Sequence, residues 1–133
     1  MTHMKKNILV VDDSALMRRV MCDIINSDSK FQATDYCRDG LEAYEKLKHT
    51  SYDGVVLDVN MPRMDGLQLL EKLQKEGIRA NVVMVSTLTD SREADVTILA
   101  MERGAIDFVA KPTNIIEAKG EAFKRQLLGV LDA

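Results

Sequence analysis

Five short apolar runs, separated by amphipathic stretches, constrain this chain more than any other feature. They are Ile8 to Val11, Phe31 to Tyr36, Gly54 to Leu57, Val82 to Val85 and Ile106 to Ala110. A continuous apolar run of roughly four to eight residues suits a strand buried on both faces, which requires a parallel sheet covered by helices. The Phe31 run, FQATDY, is more polar than the rest and is expected at a sheet edge.

Between the runs the apolar period becomes helical. Leu16, Met17, Val20, Met21, Ile24 and Ile25 form one stripe, and Ser14 stands where an N-cap is needed. Asp39 with Glu42 has the spacing of a capping box, opening a helix with Leu41, Tyr44 and Leu47 on one side. Asp65 is placed to cap a third helix bearing Leu67, Leu70 and Leu73, with Gly77 as its stop. Asp90 and Glu93 repeat the capping pattern before a fourth helix that ends at Gly104. A single last helix is expected to place Ile116, Phe123, Leu127 and Val130 or Leu131 on one face, weakened by Gly120 and Gly129.

Strands alternating with helices predict an α/β fold, a doubly wound five-stranded parallel sheet with helices on both faces. No repeat or linker divides the chain, so residues 1–4 are set aside as a leader and 5–133 are expected to form one domain. Right-handed crossovers bring the carboxyl ends of all strands to one rim, where such sheets bind ligands. Asp12 and Asp13 follow the first run, Asp58 the third, Ser86 the fourth and Lys111 the fifth. They should therefore meet.

The formal charge of -3 gives no long-range attraction to nucleic acid or anionic lipid. No apolar run approaches the roughly 18 residues of a membrane span, and the opening residues lack a secretory pattern. The two cysteines, Cys22 and Cys37, form no CxxC motif and read as reduced thiols, so a cytoplasmic chain is expected.

Three carboxylates at one rim repel. Two unit charges about 4 Å apart oppose each other by about 4 kcal/mol at an effective dielectric near 20. Lys111 offsets one of the three charges, and the remainder suits a hard, oxygen-seeking dication such as Mg²⁺. Such a site can also stabilise phosphoryl oxygens during in-line transfer. Asp58, at the centre of the sheet, is then the candidate nucleophile, with Asp12 and Asp13 on the metal and Ser86 and Lys111 on the phosphoryl group. Taken singly, each has a plainer role: Asp12 or Asp13 a helix cap, Ser86 a turn residue, Lys111 a solvated charge, Phe108 a core side chain. Convergence favours the chemical reading.

VVDDSALMRR, LDVNMPRMDG, VMVSTL and GAIDFVAKP, in this order, resemble the receiver domain of bacterial two-component response regulators. Within that family the likeness is to the regulatory domain of the chemotaxis protein-glutamate methylesterase. The resemblance covers Lys5 to Thr113 and implies the flavodoxin-like strand order 2-1-3-4-5. It implies Asp58 as phospho-acceptor and Asp12 and Asp13 as the acidic metal pair. The Asn60 main-chain carbonyl would be a further Mg²⁺ ligand, Ser86 and Phe108 the switch residues, and Lys111 the phosphate-sensing amine. It further implies a cis Lys111–Pro112 bond, a chemotaxis histidine kinase as donor, and a methylesterase effector domain or chemoreceptors downstream. Relatives often carry Glu where this chain has Asn60, which would leave a carbonyl ligand intact and change the rate of phosphate loss.

Within the class, a standalone receiver that docks to a separate partner is the alternative, and a flavin-binding carrier of similar topology belongs to a different class. The carrier needs amide- and hydroxyl-rich phosphate binding where Asp12 and Asp13 stand. A haloacid-dehalogenase-type phosphatase lacks its D-x-D after the first strand.

Overall fold

The computed structural model describes residues 5–87, 93–112 and 114–132. In chain order the elements are β1 (Lys6–Val11), α1 (Ala15–Asn26), β2 (Phe31–Cys37), α2 (Gly40–His49), β3 (Gly54–Leu57), α3 (Gly66–Lys75), β4 (Val82–Ser86), α4 (Glu93–Glu102), β5 (Asp107–Ala110), α5 (Ile115–Ala118) and α6 (Glu121–Leu131). All strand pairs are parallel, in the order β2-β1-β3-β4-β5. The polar FQATDY run lies at the edge, as expected.

Alternation along each strand divides the core into two layers. Leu9, Val11, Val55, Leu57, Val82 and Met84 face a layer completed by α2, α3 and Ala100 of α4. Ile8, Val10, Val56, Val83, Val85 and Val109 face the other, completed by α1, Ala118, Phe123 and Leu127. With both faces covered, every residue of β3 and β4 is buried. This forces the polar groups of those strands to their ends.

Capping fixes where the helices begin. Ser14 Oγ accepts from Met17 N–H at 3.2 Å, and Asp39 Oδ1 accepts from Glu42 N–H at 2.9 Å. The reciprocal half of the box expected at Asp39 does not form, because the Glu42 carboxylate accepts from Arg38 N–H instead, at 3.3 Å. A complete box forms at Asp65 and Gln68, with bonds of 2.8 and 3.0 Å. Gly77 and Gly104 follow α3 and α4 at φ 68 and φ 102, the left-handed conformation that ends a helix. The Asp90 cap lies outside the described residues.

The last helix departs from expectation. It is two helices, α5 and α6, because Gly120 adopts φ -80 and ψ 165 and becomes the N-cap of the second. The break resets the helical face. Ala118 turns inward in place of Ile116, which is 82% exposed. Leu16, at the start of the α1 stripe, is likewise 55% exposed, since the stripe is buried only from Val20 onward.

Gly66 matters for the site. A Cβ there would collide with the carbonyl oxygen of Asp58, while its N–H donates to Val59 O at 2.8 Å. Gly66→Ala is expected to cost about 1–3 kcal/mol through forced backbone movement. Urea unfolding checks this, and a change below about 0.5 kcal/mol would contradict the close approach.

Candidate functional site

The buried polar side chains Asp12, Asp58 and Ser86 all lie at the carboxyl ends of strands. Asp12 follows β1 and is held from several directions. Its N–H donates to Cys37 O at 3.1 Å, and its Oδ1 accepts from Ser14 N–H at 2.8 Å. Its main-chain carbonyl accepts from Arg18 Nη1 at 2.8 Å, and that guanidinium stands 5.6 Å above the Tyr36 ring. With Oδ1 and the main chain committed, only Oδ2 faces the pocket.

Asp58 follows β3, its N–H donating to Val11 O at 2.9 Å. Lys111 follows β5 and reaches both acids, with Nζ 2.8 Å from Asp12 Oδ2 and 3.2 Å from Asp58 Oδ2. Its own N–H donates to Ser86 O at 2.9 Å, which ties the ends of β4 and β5 together. Asp13 is exposed at the mouth. Asn60 is exposed beyond β3, and Phe108 sits half-buried on β5 beside Met84, against the layer of α2 to α4. The strand ends thus bring Asp12, Asp13, Asp58 and Lys111 together as the sequence predicts.

The Lys111–Pro112 bond is trans, not cis as the resemblance implied. Trans is the favoured state of an X-Pro bond by about 0.5–1 kcal/mol. The direction of the lysine is set instead by its two carboxylate partners and by the main-chain bond to Ser86.

The electrostatics are unfavourable without a cation. Burial, and then the Asp12 charge, push the Asp58 carboxyl from 3.8 up to about 6, against the opposing pull of Lys111 and the Ser86 hydroxyl. Burial disfavours the Lys111 ammonium, yet the two carboxylates prevail and hold it above 10.5. Asp12 Oδ2 is buried and has no aligned hydrogen bond, although the Lys111 charge is beside it. Carboxylate oxygens of Asp12, Asp13 and Asp58 lie within 4.8 Å of one another. An all-oxygen set with one orphaned buried oxygen and surplus negative charge fits a hard dication such as Mg²⁺.

The family model of the response regulator receiver domain matches residues 8–120. The chain belongs to the response regulator receiver family. It is 45% identical over 124 residues to a protein-glutamate methylesterase/protein-glutamine glutaminase of Pyrococcus horikoshii, covering 93% of this chain and 33% of that protein. Against the Escherichia coli K12 protein of the same name it is 50% identical over 109 residues, covering 81% of this chain and 30% of that one. The chain thus spans about a third of the length of these relatives. Among solved structures, the response regulator domain of Thermotoga maritima CheB matches with a TM-score of 0.83 and 36% identity, covering 97% of this chain and 95% of that one. The Borrelia burgdorferi CheX–CheY–BeF3–Mg complex matches with a TM-score of 0.77 and 29% identity, covering 95% and 86%. The chain is therefore a two-component receiver domain homologous to the regulatory domain of CheB.

Sequence reasoning missed the residues that hold the site from outside. Arg18 on the Asp12 carbonyl carried no signal beyond its helical position. Arg63, whose side chain grips Asp39, adopts φ 66, a conformation that no arginine advertises. Gly66 ends the MPRMDG segment, and its lack of a Cβ is what admits the close approach to the Asp58 carbonyl. Among the described residues no helix is long and apolar enough to cross a membrane, and Cys22 and Cys37 are free thiols.

Proposed function

We propose that this chain is the phosphoacceptor domain of a chemotaxis response regulator. Asp58 takes a phosphoryl group from a histidine kinase, and the acyl phosphate controls a methylesterase effector domain outside residues 1–133. The meeting of three carboxylates with the Lys111 ammonium at the strand ends carries this reading. Kinship to protein-glutamate methylesterases supports the effector, and the free thiols accord with the cytoplasm as its place of action. A standalone receiver docking to a separate partner or to chemoreceptors is the alternative within the class.

The side chains of Asp12, Asp13 and Asp58 and the main-chain carbonyl of Asn60 would hold Mg²⁺. When bound, the cation neutralises phosphoryl oxygens and offsets the crowding of carboxylates. A carboxylate oxygen of Asp58 attacks phosphorus in line, and the bond from phosphorus to the donor histidine nitrogen breaks. The electron pair leaves with the imidazole, whose other ring nitrogen carries a proton, so the histidine is neutral once released. Lys111 exchanges its contact with Asp58 Oδ2 for a phosphoryl oxygen, and the Ser86 hydroxyl donates to another. Hydrolysis by water returns Asp58 to the carboxylate and releases phosphate.

The signal leaves through Phe108. As Ser86 is drawn toward the phosphoryl group, the half-buried ring turns into the space behind it. The adjoining surface carries exposed Ile98 and Met101 on α4 and Ile106 before β5, an apolar face suited to a partner domain. A site-to-surface coupling of about 1–3 kcal/mol is typical of such switches.

Incubation with Mg²⁺ and acetyl phosphate, followed by intact mass, tests the proposal. The wild-type chain is expected to gain one phosphoryl group, lost again in base, and neither the Asp58→Asn variant nor a sample in excess chelator should gain it. A base-labile phosphoryl group on the Asp58→Asn variant would overturn the acceptor assignment.

A further inference from the structure

We propose that Arg63 is a positioning residue for cation binding. Its guanidinium, clasped to the buried Asp39 carboxylate, fixes the loop after β3 that carries the Asn60 carbonyl. The inference rests on the reading that the carboxylate cluster and this carbonyl take Mg²⁺.

Asp39 is 7% exposed at its side chain, and each of its oxygens has a separate task. Oδ1 caps α2 through Glu42 N–H, while Oδ2 accepts from Arg63 Nε at 3.0 Å and from Nη2 at 2.6 Å. One buried carboxylate therefore joins the start of α2 to a loop distant in sequence. A second bond reinforces the junction, with Gly40 N–H donating to Met64 O at 2.9 Å. A Cβ at Gly40 would collide with that oxygen, so α2 and the loop are packed main chain against main chain.

Arg63 lies three residues beyond Asn60 and is the one non-glycine residue with positive φ among those described. A left-handed backbone is unfavourable for any residue with a Cβ, and it persists where surrounding contacts impose it. Here the forked contact on Asp39 supplies that constraint. The arginine side chain is 58% exposed, so the pair adds little to global stability. Its effect is local. Mg²⁺ demands near-ideal octahedral geometry, and a carbonyl ligand on an unpinned loop meets that demand less often.

The test titrates Mg²⁺ alone by calorimetry into the intact chain and into Arg63→Ala, Arg63→Lys and Asp39→Asn variants. Lys75→Ala serves as control, removing an exposed pair with Glu71 at the C-terminal end of α3. Arg63→Ala is expected to weaken Mg²⁺ binding about tenfold, as loss of an outer-shell partner does. Arg63→Lys should recover part of the loss. Asp39→Asn should weaken binding too, and combining it with Arg63→Ala should add little further. Urea unfolding of Arg63→Ala should remain close to wild type, and its amide exchange at Asn60, Met61 and Arg63 should accelerate without metal. Unchanged affinity in Arg63→Ala, or an equal loss in Lys75→Ala, would overturn the proposal. No Mg²⁺ uptake by the wild-type chain would contradict the underlying cation reading instead. The metal-free exchange would still decide whether Arg63 holds the loop, and unchanged exchange would overturn that as well.

Discussion

Exchanging Asp58 for asparagine is expected to abolish phosphorylation and, in the absence of metal, to make the protein more stable. The carboxyl titrates near 6 in the folded chain instead of 3.8. At about 1.4 kcal/mol for each tenfold change in acidity, the ionised group costs the folded state about 3 kcal/mol at neutral pH. A raised carboxyl imposes no penalty below its unfolded value, where both states are protonated. The penalty grows as pH rises from about 4 and is complete above about 6. The Asp58→Asn variant, measured in chelator, should therefore match the wild type near pH 4 and exceed it by up to about 3 kcal/mol at pH 7. Excess Mg²⁺ should shrink the difference, because it binds the folded wild type and not the unfolded chain. A constant difference across this range would mean that the asparagine acts through packing, not through charge.

Removing Lys111 is expected to act in the opposite direction. Its ammonium stands within 3.2 Å of both buried acids, and its side chain is 12% exposed. Lys111→Ala leaves Asp12 and Asp58 facing each other without a cation. Breaking a buried pair by deleting one partner costs about 3–5 kcal/mol. The low end, about 3 kcal/mol, is expected here, since the pocket opens to water at Asp13. In chelator at pH 7 the variant should unfold at lower urea than the wild type, and saturating Mg²⁺ should return a large part of the loss. Phosphorylation by acetyl phosphate should be slowed severely, because no ammonium remains to receive the new phosphoryl oxygens. Wild-type stability without metal would show that the lysine is not the counter-charge of this cluster.

These opposite signs express one arrangement. The site is assembled at the expense of stability, with like charges held together by rigid surroundings. The rigidity comes from Arg18 and Ser14 on Asp12, from the main-chain bond between Asp58 and Val11, and from the glycine contact behind Asp58. These supports flank the charged residues within the same two segments, VVDDSALMRR and LDVNMPRMDG.

The sheet and its rim were legible because the signals are strong and local. Ile8 to Val11 and Val82 to Val85 admit few alternatives to buried strands, and parallel connection then dictates which ends coincide. Asp12, Asp58 and Lys111 followed from counting to the end of each run. The ends of the chain's helices were harder to read. Gly120 has the same composition signal whether it merely weakens a helix or ends one, and the choice shows only in its backbone, at φ -80 and ψ 165. That choice moved Ile116 from the expected core to solvent. Leu16 was misplaced for a related reason, since periodicity identifies a stripe but not how far along it the sheet extends. The Arg63 clasp was not legible at all, because a long-range ion pair and a left-handed backbone leave no periodic trace.

Asp58 is identified as the acceptor by phosphorylating the chain with acetyl phosphate and Mg²⁺, reducing it with borohydride, and locating the product by peptide mass spectrometry. Borohydride converts an aspartyl phosphate to homoserine and leaves free carboxylates alone. Homoserine at position 58, and at no other aspartate, is the predicted result. Homoserine at position 12 or 13, or none anywhere despite a phosphorylated intact mass, would contradict it.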